Sequence, residues 1–307
     1  MRQGEVASKG KWVGSPQGGV VAPEPILLPD PATRFAKSAA RLDTLAAGHP
    51  MADWLRFTAG LMRAQQAAAT IFAALPEPDI AMVRQASEAG LPPLAADGHH
   101  RDPAWRAALT TLLDALDLRQ APAAVRRITE DLRQHDAAAL EALADSFLSG
   151  TIADAGAALF IAAALQVYFT SRAAALPPGA LHLLPERGLC PCCGSTPVAG
   201  IITGSGATPG TRYLHCSLCA TAWNHVRAIC ITCGDSRTLS LKGIEGDAGV
   251  VKAETCDACH SYAKMLYQAK DMQVDAMADD LASLGLDMMV AEAGWARHAP
   301  NPLLLAV

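Results

Sequence analysis

The chain has 307 residues, of which 51% are apolar and 5% aromatic, with a formal net charge of −5. That length gives room for two domains with real cores, and the alanine-rich first half favours a helical globular protein over a disordered one. The mild negative charge gives no electrostatic reason to expect binding to nucleic acid or to an acidic membrane.

Residues 1–24, within MRQGEVASKGKWVGSPQGGVVAPEP, read as a loose arm. They lack the apolar run that follows the charged start of a secretory signal. From 25 to 173 the pattern is helical. Asp30 before Pro31 is a helix-start signal, and Phe35, Leu42, Leu45 and Ala46 share one face up to the stop at Gly48, His49 and Pro50. A second helix is predicted from Met51 to about Ala74, with Trp54, Leu55, Phe57, Leu61 and Met62 towards the core. Further helical windows are 78–89, 103–116, 122–134, 137–148 and 153–173, separated by LPEPD, GLPPLAADGHH and SG. The expectation is an all-α bundle. AALFIAAALQVYF, residues 157 to 169, is too short for a bilayer and is interrupted by Gln166, so it reads as a buried core helix. The chain is therefore expected to be cytoplasmic, without membrane insertion and with reduced thiols. His99 and His100 lie in a Gly/Asp/Pro-rich loop and read as solvated, and His135 and His182 have no partner at ligand spacing.

Residues 174–189 are proline-rich and read as a linker with some apolar contacts. All nine cysteines follow, between 190 and 259. Eight form Cys-x-x-Cys pairs: Cys190/Cys193, Cys216/Cys219, Cys230/Cys233 and Cys256/Cys259. Two intervening residues let both thiolates converge on one ion, and two such turns close a tetrahedral shell, so eight thiols point to two metal ions. Adding 40 to each position in the first four returns the second four, and Gly194 maps onto Gly234. Each unit is a knuckle, a spacer and a second knuckle, the pattern of a zinc-ribbon or rubredoxin-like module occurring twice, at 190–229 and 230–262. Cys190, Cys193, Cys216 and Cys219 are assigned to one ion and the other four to the second; a cross-braced pairing is the alternative. Glycine after a knuckle permits positive φ. The spacers GIITGSGATPGTRYLH and LSLKGIEGDAGVVKAE read as β-hairpins. Residues 263–307 are predicted to form a helical segment and tail, with Met265, Leu266, Met272, Met277, Leu281 and Leu284 packed inward. The predicted fold class is thus α with a small β component: an all-α domain, two tandem metal modules and a C-terminal helical segment.

Repetition of the pairs argues against a redox-active thioredoxin motif, and the missing signal argues against disulfides. Cys192 is a ninth thiol whose side chain is expected to point away from the ion. His215, His225 and His260 read as neighbours of complete four-cysteine shells. Four thiolates accept zinc or iron and leave no position for a substrate, so hydrolytic metal catalysis is not expected. Five basic and five acidic residues between Cys190 and Cys259 give no basic patch, which weakens a nucleic-acid-binding zinc ribbon. A rubredoxin-like electron-transfer role and a protein-interaction platform stay open. Tyr213 and Trp223 have two readings, covering the first module or anchoring a partner, and Arg212 can pair locally or contact that partner.

CPCCGSTPVAGII (190–202), RYLHCSLCATAWNHVRAICITCG (212–234), AETCDACHSYAK (253–264), ADDLASLGLDMMVAEAGWARHAPN (278–301) and RFAKSAARLDTLAAGHPMADWLRF (34–57) together resemble the FdhE family of formate dehydrogenase accessory proteins. The resemblance runs from about residue 25 onward and is looser over 60–180. It implies a cytoplasmic, non-enzymatic accessory factor with a helical N-terminal domain and two rubredoxin-like modules holding iron or zinc. It implies as partner the catalytic subunit of a respiratory formate dehydrogenase, bound before export by the twin-arginine route. The eight paired cysteines match the family's metal ligands; Cys192 is not carried over.

Overall fold

The computed structural model describes residues 22–304 except 75, 99, 120 and 153, so His99 lies outside the described residues. The helical windows read from periodicity are occupied. α1 (Arg34–Leu45) buries Phe35, Ala39 and Leu42 on one face. The Asp30 carboxylate accepts from the Ala32 N–H at 3.0 Å and the Thr33 hydroxyl at 2.6 Å, which shapes the turn feeding this helix. α2 (Ala52–Ala68) tightens into a 3₁₀ turn over Ala69–Ala74. Leu55, Leu61 and Met62 are fully buried, whereas Trp54 and Phe57 are half-buried and stack on each other. α3 (Ile80–Glu88), α6 (Ala137–Leu148) and α7 (Ala155–Ala174) each start at an aspartate, Asp79, Asp136 and Asp154, whose carboxylate accepts first-turn N–H groups. α4 (Ala104–Ala115) and α5 (Ala123–Gln134) follow prolines. α7 is long and apolar enough to cross a membrane by composition alone, but 78% of that window is buried inside the protein. It is the core helix of the bundle.

β1 (Ile26–Leu27), β2 (Pro197–Ile202), β3 (Arg212–Cys216), β4 (Ala222–Asn224), β5 (Leu239–Lys242), β6 (Val251–Cys256), β7 (Ser261–Tyr267) and β8 (Ala296–Arg297) form one sheet. Its order is β1-β4-β3-β2-β7-β6-β5, with β8 beside β7. The predicted hairpins are β2–β3 and β5–β6. Parallel pairing of β2 with β7, Gly200 opposite Met265 and Ile201 opposite Leu266, joins the two modules into one sheet.

The segment after Cys259 differs from the predicted helix. Residues 261–267 form β7, and helix resumes only at α8 (Ala276–Ala282) and α9 (Leu284–Glu292). β7 is covered on both faces and buried over nearly its whole length, so it lacks the alternation that marks a half-buried strand. Met265, Leu266, Met277 and Leu281 are core residues as expected, but Met272 is 52% exposed.

The helices and the first module share one hydrophobic core. Residues 174–189 join it through Leu176, Ala180 and Leu181. Polar contacts reinforce the joint. Gln65 donates to Gln166 Oε1 at 2.9 Å, and Gln166 donates to the Ser217 carbonyl at 2.8 Å. The Leu94 and Ala96 N–H groups donate to the carbonyls of Cys192 and Cys193, both at 2.8 Å. Arg41 on α1 pairs with Asp279 on α8 and with Asp271.

At the C-terminal end, fully buried Lys264 meets Asp280 at 3.3 Å and pairs with Asp287. Arg297 pairs with both aspartates, and Tyr262 donates to Asp287 Oδ1 at 2.8 Å. Two positive groups face two carboxylates, so the cluster is balanced. Truncating one partner leaves an uncompensated buried charge, which costs about 3–5 kcal/mol. Lys264→Met is therefore expected to lower the unfolding free energy by about that amount, read as a drop in urea midpoint at unchanged slope; an unmoved midpoint would show that the cluster does not hold α8 and α9 to the sheet.

Candidate metal centres

Each module is built from two knuckles of different construction. In the first, the Cys190 N–H donates to the Ser195 carbonyl at 2.9 Å and Gly194 donates back to the Cys190 carbonyl at 2.9 Å. Forty residues on, Cys230 bonds Asp235 at 2.8 Å and Gly234 bonds Cys230 at 3.0 Å. Gly194 and Gly234 have φ of 77° and 76°, the left-handed conformation expected of them. The other two knuckles need the same turn without glycine: Ala220 and His260, each following the last cysteine of its module, have φ of 59° and 54°. Backbone N–H groups then aim at sulfur. Cys216 Sγ accepts from Leu218 at 3.4 Å and Cys219 at 3.3 Å, and Cys230 Sγ accepts from Thr232 at 3.4 Å.

The thiols converge as the repeat predicts. Cys190, Cys193, Cys216 and Cys219 form one group and Cys230, Cys233, Cys256 and Cys259 the other, each with all sulfurs within 4.8 Å of one another. Pairings are sequential rather than cross-braced. In the first group Cys190–Cys219 and Cys193–Cys216 are 3.5 and 3.4 Å apart; in the second Cys230–Cys259 and Cys233–Cys256 are 3.8 and 3.7 Å. A tetrahedral ion with metal–sulfur bonds of about 2.3 Å has sulfur–sulfur edges of about 3.8 Å. Both groups therefore fit such an ion with little movement.

Four adjacent thiols cannot all ionise unaided. In the first group burial pushes Cys190 and Cys219 well up, while for Cys193 the hydrogen bonds from neighbouring thiols and Ser195 outweigh burial and pull it well down. In the second, burial opposes ionisation of Cys256, but Thr238 and the N–H groups of Cys259 and Ala258 bring it to about 7. Cys233 is pushed up to about 12: a backbone bond near Asp235 lowers it, but partial desolvation and the neighbouring thiols of Cys259, Cys256 and Cys230 prevail. Each group thus offers a first thiolate to a cation, whose binding expels the remaining protons.

The groups differ in access. All four cysteines of the first are buried; in the second Cys233 is exposed and Cys259 half-exposed. Cys192 is fully buried, belongs to neither group, and lies in the common core. Of the other histidines, His135 and His182 bond the Asp131 carbonyl at 2.6 Å and Ser87 at 3.1 Å, while His100 and His260 are exposed.

Arg212, Tyr213 and Trp223 are 1%, 7% and 1% exposed, and each has partners within the chain. Arg212 pairs with Glu254 at 2.6 Å, bonds His225 Nδ1 and the Ile229 carbonyl at 2.7 Å each, and also reaches the Val226 carbonyl. It ties the first module to the second. Tyr213 donates to the Glu24 carbonyl at 2.9 Å and Trp223 to the Arg187 carbonyl at 2.8 Å, fastening the N-terminal segment and residues 183–189 to the first module. Little of these side chains is offered to a partner in this conformation. The residues that sequence reasoning missed are the hydroxyls Thr221 and Ser261, two positions after the last cysteine of each module and 3.1 and 3.0 Å from its sulfur. The 40-residue offset relates them too and is the signal that could have found them.

The fold and the two groups define a class: a helical domain fused to tandem four-cysteine modules that share one sheet. The family model for the FdhE N-terminal region matches residues 23–186, that for the FdhE central domain 189–227, and that for the FdhE C-terminal domain 228–304. A "Protein FdhE homolog" of Edwardsiella ictaluri is 44% identical over 284 residues, covering 91% of each chain. That of Pseudomonas aeruginosa is 44% identical, covering 88% of this chain and 89% of its own. The crystal structure of the FdhE protein from Pseudomonas aeruginosa superposes with a TM-score of 0.81 at 40% identity, covering 92% of this chain and 99% of that one. The chain belongs to the FdhE family.

Two outcomes follow. With both groups loaded, a chelator is expected to remove metal in two phases, the faster from the second group, with Cys233 the first thiol labelled by an alkylating reagent in mass spectrometry. Loss of both ions at one rate would contradict the difference in access. Burial, followed by the nearby Arg212 charge, lowers the His225 pKa from 6.5 to about 4. The unfolded chain then binds a proton that the folded chain refuses, so this contribution is complete above about pH 6.5 and fades as pH falls towards 4. Each pH unit separating the folded and unfolded values is worth about 1.4 kcal/mol. The unfolding free energy is expected to fall over that window, and less steeply in His225→Asn; parallel curves would exclude His225 as the cause.

Proposed function

We propose that this chain is a non-enzymatic, cytoplasmic accessory protein for maturation of a respiratory formate dehydrogenase, binding its catalytic subunit before export. Membership of the FdhE family over nearly the whole chain carries this reading. The two cysteine groups agree with it. Each takes one iron or zinc ion through Cys190, Cys193, Cys216 and Cys219 or through Cys230, Cys233, Cys256 and Cys259. Four thiolates complete the shell and leave no coordination position for a substrate, which suits a scaffold better than a hydrolytic centre. The bound ion supplies folding energy to a module with little core of its own. The chain's residues do the rest: N–H groups and hydroxyls hold the sulfurs, and the core shared with the helices fixes the first module against the bundle. Arg212, Tyr213 and Trp223 are read as ties between these parts rather than as the contact surface for the client.

The test is a pull-down with tagged full-length chain from cells expressing the respiratory formate dehydrogenase, with metals quantified in the same eluate. The expected result is recovery of the catalytic subunit with two ions per chain, one for each group of four cysteines. The double variant Cys190→Ser/Cys193→Ser is expected to retain one ion, to be less stable and to lose the subunit. Two ions without any formate dehydrogenase subunit in the wild-type eluate would leave the metal reading standing and remove the accessory role.

A further inference from the structure

The two modules part company at the hydroxyl beside their last cysteine. Thr221 is fully buried, and its Oγ1 has Cys219 Sγ, 3.1 Å away, as its partner. Ser261 Oγ is 3.0 Å from Cys259 Sγ and also 2.8 Å from Thr232 Oγ1. Thr232 Oγ1 is in turn 2.8 Å from His298 Nδ1. The other ring nitrogen of His298, Nε2, is buried without a hydrogen-bond partner among the described residues. The same ring lines a cavity of about 770 Å³ between residues 183–189 and the third knuckle.

The chemistry of this chain is constrained by proton counting. Ser261 has one hydroxyl proton and three acceptors in reach: Cys259 Sγ and Thr232 Oγ1, and, farther off at 3.9 Å, Cys230 Sγ. A neutral imidazole carries one N–H. When Ser261 donates to Thr232, as its angles have it here, Thr232 donates to His298 Nδ1 and the ring proton sits on Nε2. A metal-bound thiolate has no proton to give and accepts a charge-assisted hydrogen bond, stronger than the neutral one it replaces. Ser261 then turns to the sulfur, Thr232 turns to Ser261, His298 donates through Nδ1, and Nε2 becomes a bare acceptor. The two hydroxyl protons stay on their own oxygens and only change direction, while the ring changes tautomer, giving up its Nε2 proton to water and taking one from water at Nδ1, so the number of protons held is unchanged.

We propose that Ser261, Thr232 and His298 form a hydrogen-bond relay coupling the second metal centre to the cavity, so that a loaded centre presents His298 Nε2 as the acceptor for an N–H donor, an amide or ammonium group, bound there. Thr221 gives the first centre a fixed hydroxyl and no such relay. Coupling of this kind is reciprocal: a donor held at Nε2 keeps Ser261 on the sulfur and lowers the charge density of Cys259. Ser261, Thr232 and His298 are positioning residues, acting on the ion only through the sulfurs of Cys259 and Cys230. The inference rests on the reading of the two cysteine groups as metal centres.

The test uses the full chain loaded with ¹¹³Cd, which gives one resonance per centre, together with ¹⁵N-labelled histidine. Ser261→Ala is expected to shift one cadmium resonance and Thr221→Val the other. Thr232→Val and His298→Phe are expected to shift the resonance that Ser261→Ala shifts and to leave the Thr221 resonance in place. In the loaded wild type, His298 Nε2 is expected to show the ¹⁵N signature of an unprotonated ring nitrogen. Should Ser261→Ala fail to hold cadmium, Thr232→Val still decides, because Thr232 is exposed and bonds no sulfur through its hydroxyl. Both resonances at wild-type positions in Thr232→Val and His298→Phe, or a protonated Nε2 in the loaded chain, overturn the relay. Absence of a second cadmium resonance in the wild type overturns the second metal centre, and the relay with it.

Discussion

Parallel pairing of β2 with β7 is the contact on which the rest of the arrangement depends. A tandem repeat need not share a sheet; here the first strand of one module lies beside the last strand of the other. That register sets chemical limits. At Gly200, opposite Met265, an added Cβ would stand 2.6 Å from the Met265 sulfur, so a side chain there would displace the Met265 side chain from its place in the core. It also places β7 at the centre, covered on both faces, and leaves β5 and β1 at the ends. The bundle and α8 close on the first module, α8 against α1 and β2, while α9 closes on β6 and β8. A four-cysteine module alone has too few apolar residues to fold without its ion; shared strands and a shared core relieve the first module of part of that burden.

Shared burial forces polar groups inside. Those that tie one part to another are matched. Arg212 faces Glu254, carbonyls and a histidine that stays neutral because burial and the guanidinium both disfavour its charge. Gln166 interrupts the most apolar helix of the chain, and the interruption is the connection: its amide bridges α2 and the second knuckle. Lys264 would be an anomaly in a central strand, yet it meets two aspartates from two helices. Breaking any of these pairings strands a partner in a low-dielectric interior, so they fix which surfaces meet more than they add to net stability.

Much of this was legible in the residues. The helices of the first half stand within windows set by 3.6-residue periodicity and by aspartates at their starts, because an amphipathic face against a core is a local signal. The Cys-x-x-Cys repeat located both thiol groups and their sequential pairing, since metal geometry acts over four residues at a time. What escaped was non-local. β7 was read as helix because SYAKMLY is buried on both sides and carries no alternation. The role of β1 escaped because two residues pairing with a strand nearly two hundred positions away leave no pattern of their own. Tyr213 and Trp223 kept two readings for the same reason: their acceptors are backbone carbonyls of distant segments.

The internal repeat invites the expectation that its halves do the same work, and the surroundings argue otherwise. The first group lies in the common core: a residue pair from the helical half clamps its first knuckle, an amide from α7 holds its second, and its neighbouring hydroxyl faces a single sulfur. Any ion there is enclosed by the same packing that holds the protein together, so exchange requires opening that packing. The cysteines of the second group lie outside that core, with Cys233 at the surface and a cavity along the third knuckle. Its surroundings can change while the core stays closed. The repeat thus supplies two similar thiol groups, and the helical domain, by closing over only one of them, makes the first a part of the fold and leaves the second nearer the surface.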